Sequence, residues 1–282
     1  MELTKEIKEC AFHIESKNGV CMEDSFINEL KTFANSIKKI VIADKKDTVN
    51  TLKEILDCKT ESCILTNPEI KNFLGEAKVS KQLDERFKPE GPYNSDDWFS
   101  NFNIDEVLDQ VAIKFSDKKF LHIKYQMRDF AKNSNSELVK TDLAVEYKKG
   151  IRCFGVVFNT DYSKNNGQHW FSIFGDFSKT PFTIEYFNSS GEPPLPEITS
   201  WMDRTKHHLE KELSSEIKNI KVETVIVTNT VNQIDNHSCG SYSLYYIISR
   251  LEGVSYEYFS KNKIGDELMH TFRKYYLFRQ PK

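Results

Sequence analysis

Cys239 sits in the run Asn236-His237-Ser238-Cys239-Gly240-Ser241. Here a polar loop, Thr228 to Ser238, gives way to an apolar helical face of Leu244, Tyr245, Ile247, Ile248 and Leu251, closed by Gly253. A cysteine at a helix N-terminus meets free backbone N–H groups and the positive end of the helix dipole. Both favour the thiolate and draw its pKa from about 8.5 toward neutrality. Taken alone, a cysteine is more often a small buried hydrophobe. The polar loop before it, and Gly240 after it, which lets the backbone close on a reacting atom, point instead to a nucleophile.

A thiol nucleophile needs a base that takes its proton and later gives one to the leaving group, work suited to histidine. The chain has seven histidines. His207 and His208 lie in a charged stretch, His13 in the N-terminal region, and His122 and His270 in mixed, surface-like sequence. His237 is so close to Cys239 that its side chain would have to fold back over its own loop, and it is read as loop structure. His169 remains, after a turn containing Gly167 and before Trp170 at the start of an apolar run.

The base in turn needs an acceptor that fixes its tautomer, at the end of a neighbouring strand. Asn188, ending TIEYFN, meets that demand. It also fits a turn at 188–191, and spacing alone does not choose between the two. The carboxylate competitors are Asp176 and Glu185; strand alternation puts Glu185 on the face opposite Asn188.

The elements that would position these groups can be read from periodicity. Strands are expected over Arg152 to Asn159, His169 to Asp176 and Thr183 to Asn188. Prolines 193, 194 and 196 end that sheet segment, and a surface helix follows from Glu197 to Ile217. The β-branched run Val222 to Val227 reads as another buried strand. A helix is expected from Asn103, as cap, to Ala112. Nearer the N-terminus, Phe26, Leu30, Phe33, Ile37, Ile40 and Val41 recur at helical intervals. The breaker-rich stretch Phe87 to Asp97 suggests a division near residue 90, giving a helical unit at 1–90 and an α+β domain at 91–282 with helices packed on a mixed sheet.

With 282 residues, 39% of them hydrophobic, the chain can bury a sizeable core. A net charge of −3 gives no global pull toward nucleic acid or anionic membrane, and no apolar run approaches the roughly 20 residues that span a bilayer. Met1 to Glu9 lacks the apolar core of a signal peptide, which argues against secretion. The six cysteines show no CxxC pairing, which suggests a reducing compartment without disulfides; together with the histidines they also lack metal-ligand spacing, so neither metal nor cofactor is expected.

The blocks GQHWFSIFGDF, TIEYFNSSG and QIDNHSCGSYSLYYI, in that order, resemble the His, Asn/Asp and Gln…Cys blocks of the SUMO-protease and adenovirus-protease clan. Further stretches, ESCILTNPEI, DERFKPEGPYN and NFNIDEVLDQVAIKF, resemble the viral polyprotein-processing members, so the likeness runs from about Glu61 to the C-terminus. The resemblance implies a cysteine protease with Cys239 as nucleophile, His169 as base and Asn188 as its orienter. It adds Gln233 as an oxyanion donor, with Asn236 a rival on sequence position. Trp170 matches the clan's His-Trp pair, which screens the catalytic groups from water, although core packing explains it equally well. The N-terminal unit resembles the helical arm of the viral enzymes.

The implied activity is endoproteolysis of viral structural polyproteins after Gly-Gly sites during virion maturation. The enzyme would act as a monomer in the host cytoplasm at assembly sites and in the virion, with no nucleic acid or membrane required. A deconjugating isopeptidase for SUMO or a ubiquitin-like modifier shares the chemistry. An inactive module that binds Gly-Gly tails shares the fold, but binding alone would not demand Cys, His, Asn and Gln together.

Overall fold

The computed structural model describes residues 8–279, apart from 17, 18, 41, 43, 44, 93, 95 and 229. Val41 and most of the Met1 to Glu9 segment therefore lie outside the described residues. The chain divides into two compact units: one spans 94–273, and the other joins the N-terminal residues to 274–279. The sequence reading keeps the C-terminal tail with Cys239. It belongs instead to the N-terminal unit, where the Arg279 N–H donates to the Pro89 carbonyl at 3.1 Å and the Arg279 side chain pairs with Glu90.

The N-terminal unit carries helices α1 (Asp24–Ser36), α2 (Lys45–Ile55), α3 (Glu61–Thr66), α4 (Pro68–Leu74) and α5 (Glu76–Arg86). Phe26, Leu30 and Phe33 bury one face of α1, as their spacing predicts, but the helix stops before the pattern does. Ile37 is its exposed C-cap and Ile40 lies beyond it. Two disulfides, Cys10–Cys21 and Cys58–Cys63, correct the expectation of unpaired thiols. They close short loops that tertiary folding brings together, which no CxxC spacing announces. Buried carboxylates add to this unit. Glu9 accepts the N–H groups of Glu61 and Ser62 at the start of α3, and Glu61 accepts those of Cys21 and Met22.

The second unit is built on a mixed six-stranded sheet of β1 (Phe120–His122), β2 (Gln126–Met127), β3 (Cys153–Asn159), β4 (Trp170–Asp176), β5 (Phe182–Phe187) and β6 (Val222–Val227). The order is β1-β3-β4-β5-β6, with β2 also on β3. The β3–β4 and β4–β5 pairs are antiparallel, and the β1–β3, β2–β3 and β5–β6 pairs are parallel. Around it lie α6 (Asn101–Lys114), α7 (Glu137–Lys140), α8 (Leu143–Lys148), α9 (Pro196–Glu212), α10 (Cys239–Leu251), α11 (Tyr256–Lys261) and α12 (Asp266–Phe272). Period-2 alternation divides the central strands. Phe154, Val156, Phe171, Ile173, Ile184 and Tyr186 pack in one cluster with Ile198, Trp201 and Met202 of α9. On the other face Phe187 stacks on Tyr246 of α10 at 4.4 Å between ring centroids.

Two local expectations are corrected. Ser100, not Asn103, caps α6; Asn103 is the third helical residue and closes a reciprocal capping box with Ser100. The strand β6 is a sheet edge rather than a buried strand, with only Val222 and Val227 buried and Ile226 exposed.

Candidate active site

Cys239 is the first residue of α10 and is 2% exposed. The polar loop and the apolar helix meet where the sequence puts them, so the free N–H groups of the first helical turn face the sulfur. Burial pushes the Cys239 thiol up, while hydrogen bonds from the backbone N–H groups of Trp170, Gly240 and Cys239 itself pull it down; burial prevails. The resting group is therefore a thiol, not the thiolate that a helix N-terminus alone predicts. Those N–H groups nonetheless stand ready for an anion once the proton leaves.

His169 immediately precedes β4, and Asn188 immediately follows β5. The antiparallel register of these strands sets Ser172 opposite Phe187, so the two flanking residues converge at one sheet end. His169 Nε2 lies 2.7 Å from Asn188 Oδ1. That oxygen also accepts the Ser190 N–H and hydroxyl, at 3.1 and 3.0 Å. An amide oxygen only accepts, so Nε2 carries the proton and Nδ1 keeps the lone pair that a base needs. The Asn188 amide group donates to the Tyr186 hydroxyl at 3.0 Å, which fixes the orientation of the amide. Asn188 thus both forms the turn and holds the imidazole, the two roles that spacing left open. Burial lowers the His169 pKa, opposed by the Asn188 hydrogen bond and the charge of Glu192. Burial thereby favours the neutral imidazole.

Glu185, the carboxylate competitor, faces the other way. It is fully buried and paired with Arg250 at 2.7 Å.

Gln233 is tied to the same strand end. Its backbone N–H donates to Ser189 O at 3.0 Å, and Ser189 Oγ donates to its Oε1 at 2.8 Å. Its amide Nε2 donates within its own loop, to the Asp235 carbonyl and carboxylate. Asn236, the rival donor, is exposed.

A profile of the Ulp1 protease family, C-terminal catalytic domain, matches residues 115–280. A cysteine protease of an African swine fever virus isolate is 36% identical over 99% of this chain and 97% of its own length. A protein named SUMO-1 cysteine protease, from another isolate of that virus, is also 36% identical with the same coverage. The chain belongs to the Ulp1 protease family. The fold agrees over the full length of this Ulp1-family cysteine protease: a crystal structure of an African swine fever virus protease superimposes with a TM-score of 0.81 at 34% identity, covering 99% of this chain and 98% of that one.

Several site residues of this family member have no clear sequence signal. Phe99 lies over the start of α10, and a Cβ on Gly240 would come within 2.6 Å of its ring. Gly240 is therefore required for this packing rather than only for approach to a reacting atom. Trp170 is buried, donates from its indole to Phe99 O at 3.0 Å, and packs edge-on against Tyr125. A cavity of about 370 Å³ opens beside them, lined by Trp98, Phe99, Tyr125, Met127, Asn159 and Trp170 among others. Asp235 organises the loop before Cys239 by accepting the His237 and Ser238 N–H groups and the Ser238 hydroxyl. His122, read as surface-like, is buried between Asp109 at 2.9 Å and Asp105 at 3.4 Å; the i, i+4 spacing of these aspartates on α6 was the available clue.

Proposed function

We propose that this protease is an endopeptidase cleaving viral structural polyproteins after Gly-Gly sites during virion maturation, with Cys239 as nucleophile, His169 as general base and Asn188 as its orienter. The observation that carries this reading is the near-complete burial of Cys239 beside Trp170 and Phe99. A thiol so enclosed is reached most easily by a stretch of substrate without side chains, which is what two glycines provide. His169 Nδ1 takes the thiol proton, and the thiolate, held by the N–H groups of Trp170, Gly240 and Cys239, attacks the carbonyl carbon. Gln233, released from Asp235, and the Cys239 N–H hold the tetrahedral oxyanion. The imidazolium then protonates the departing amine, and water, deprotonated by His169, hydrolyses the acyl-enzyme.

On this reading the enzyme acts as a monomer on polyprotein substrates, at assembly sites in the host cytoplasm and in the virion. Its two disulfides favour the virion, where they would persist, over the reducing cytoplasm. A deconjugating role has one observation in its favour, the SUMO-1 cysteine protease name of a 36% identical relative. Turnover of a Gly-Gly-X peptide and of a SUMO conjugate separates the two: the proposal expects the peptide to be cut with the larger kcat/KM, and preference for the conjugate would reverse the assignment.

A further inference from the structure

The loop leading into Cys239 brings together a second set of ligating side chains, distinct from His169 and Asn188. Asp235, His237 and His270 each offer a ligand atom, and these atoms lie within 4.8 Å of one another. His270, on α12, places Nε2 2.9 Å from Asp235 Oδ2, and His237, from the loop, places Nε2 3.4 Å from the same oxygen. The two imidazole rings are nearly parallel, 9° between planes, and both present Nε2 to one carboxylate oxygen. His237 Nε2 is buried and has no hydrogen-bond partner, while its Nδ1 is bonded to Asn236 Oδ1 at 3.4 Å. With the proton on Nδ1, the buried Nε2 presents a lone pair to a carboxylate and a second imidazole. The Asp96 carboxylate lies 3.7 Å from that nitrogen.

Metal–ligand bonds of about 2.0–2.1 Å in a tetrahedron put neighbouring donor atoms about 3.3 Å apart. The two separations to the Asp235 oxygen, 2.9 and 3.4 Å, bracket that spacing, and the whole set lies within 4.8 Å. Two imidazoles with one carboxylate suit Zn²⁺ and its neighbours, not Ca²⁺ or Mg²⁺, which take oxygen-only shells. We propose that Asp235, His237 and His270 form a binding site for a Zn²⁺-class divalent cation, with a water in the fourth position. Such a cation fastens the loop carrying Gln233 to α12. It reinforces the hydrogen bonds that Asp266 already accepts from the Ile234 and Asp235 N–H groups.

The test titrates Co²⁺ into the full-length Cys239→Ser protein, where the reactive thiol cannot compete, and follows visible absorption. The proposal expects the intense bands of four-coordinate Co²⁺, saturating at one site per chain and displaced by Zn²⁺, with Zn²⁺ raising the melting temperature. His270 is half exposed, so His270→Ala and His270→Gln are suitable folded variants, and each should lose both signals. Absence of the bands, or bands and a melting shift that persist in either folded His270 variant, overturns the proposal.

Discussion

The two ends of α10 both bury polar groups, but they treat charge in opposite ways. At the C-terminal end the fully buried Glu185 carboxylate is matched by Arg250 at 2.7 and 2.9 Å, the Tyr246 hydroxyl at 2.8 Å and the Thr183 hydroxyl at 2.7 Å. The Glu185 charge is compensated there, so the arrangement holds position and has no proton to move. At the N-terminal end Cys239 and His169 are both kept neutral, and the donors around them are aimed at charge that does not yet exist. The contrast teaches that one helix can be clamped by ions at one end so that the other can remain uncharged until substrate arrives.

Cutting the clamp should give the largest change. Arg250→Met leaves Glu185 buried without its cation, and denaturant unfolding should show a loss of about 3–5 kcal/mol. A loss below about 1 kcal/mol would mean that the ion pair does not anchor the helix. The opposite signature is expected from Gln233→Ala: turnover falls by about 10²–10³, equivalent to about 2.7–4 kcal/mol, while stability and the alkylation of Cys239 hardly change. Unchanged turnover would remove Gln233 from the oxyanion site.

The smallest and most specific change makes the reactive end resemble the clamped one. In Asn188→Asp a carboxylate beside His169 stabilises the imidazolium and raises its pKa, so the free base is lost at higher pH. The acid limb of kcat/KM should then move up by about 1–3 pH units from a starting point below the ordinary imidazole range. A downward shift or none would show that residue 188 does not bear on the base.

Much of this contrast was legible before any coordinates. The strands around 153–159, 170–176 and 182–187 announce themselves as apolar runs between turn residues, and the ends of two of them carry His169 and Asn188. Side-chain periodicity says nothing about backbone donors, so the Trp170 N–H at the thiol was invisible. The same limit hides packing from distant segments. Phe99 reaches α10 from the start of α6, and the partners of Cys10 and Cys58 are settled by tertiary folding rather than by spacing. The strand β6 misled because a β-branched run looks the same at the edge of a sheet as at its centre.

The strand β5 also has a consequence for how the chain finds its fold. Glu185 reaches Arg250, Tyr186 holds Asn188, Phe187 stacks on Tyr246, and Asn188, just past the strand, fixes His169. Slipping this segment by one residue would exchange its two faces, driving the Glu185 carboxylate into the apolar cluster around Ile173 and Ile198 while turning Asn188 away from the imidazole. The misaligned pairing is thus penalised, and one strand guards the alignment on which the protease's site depends.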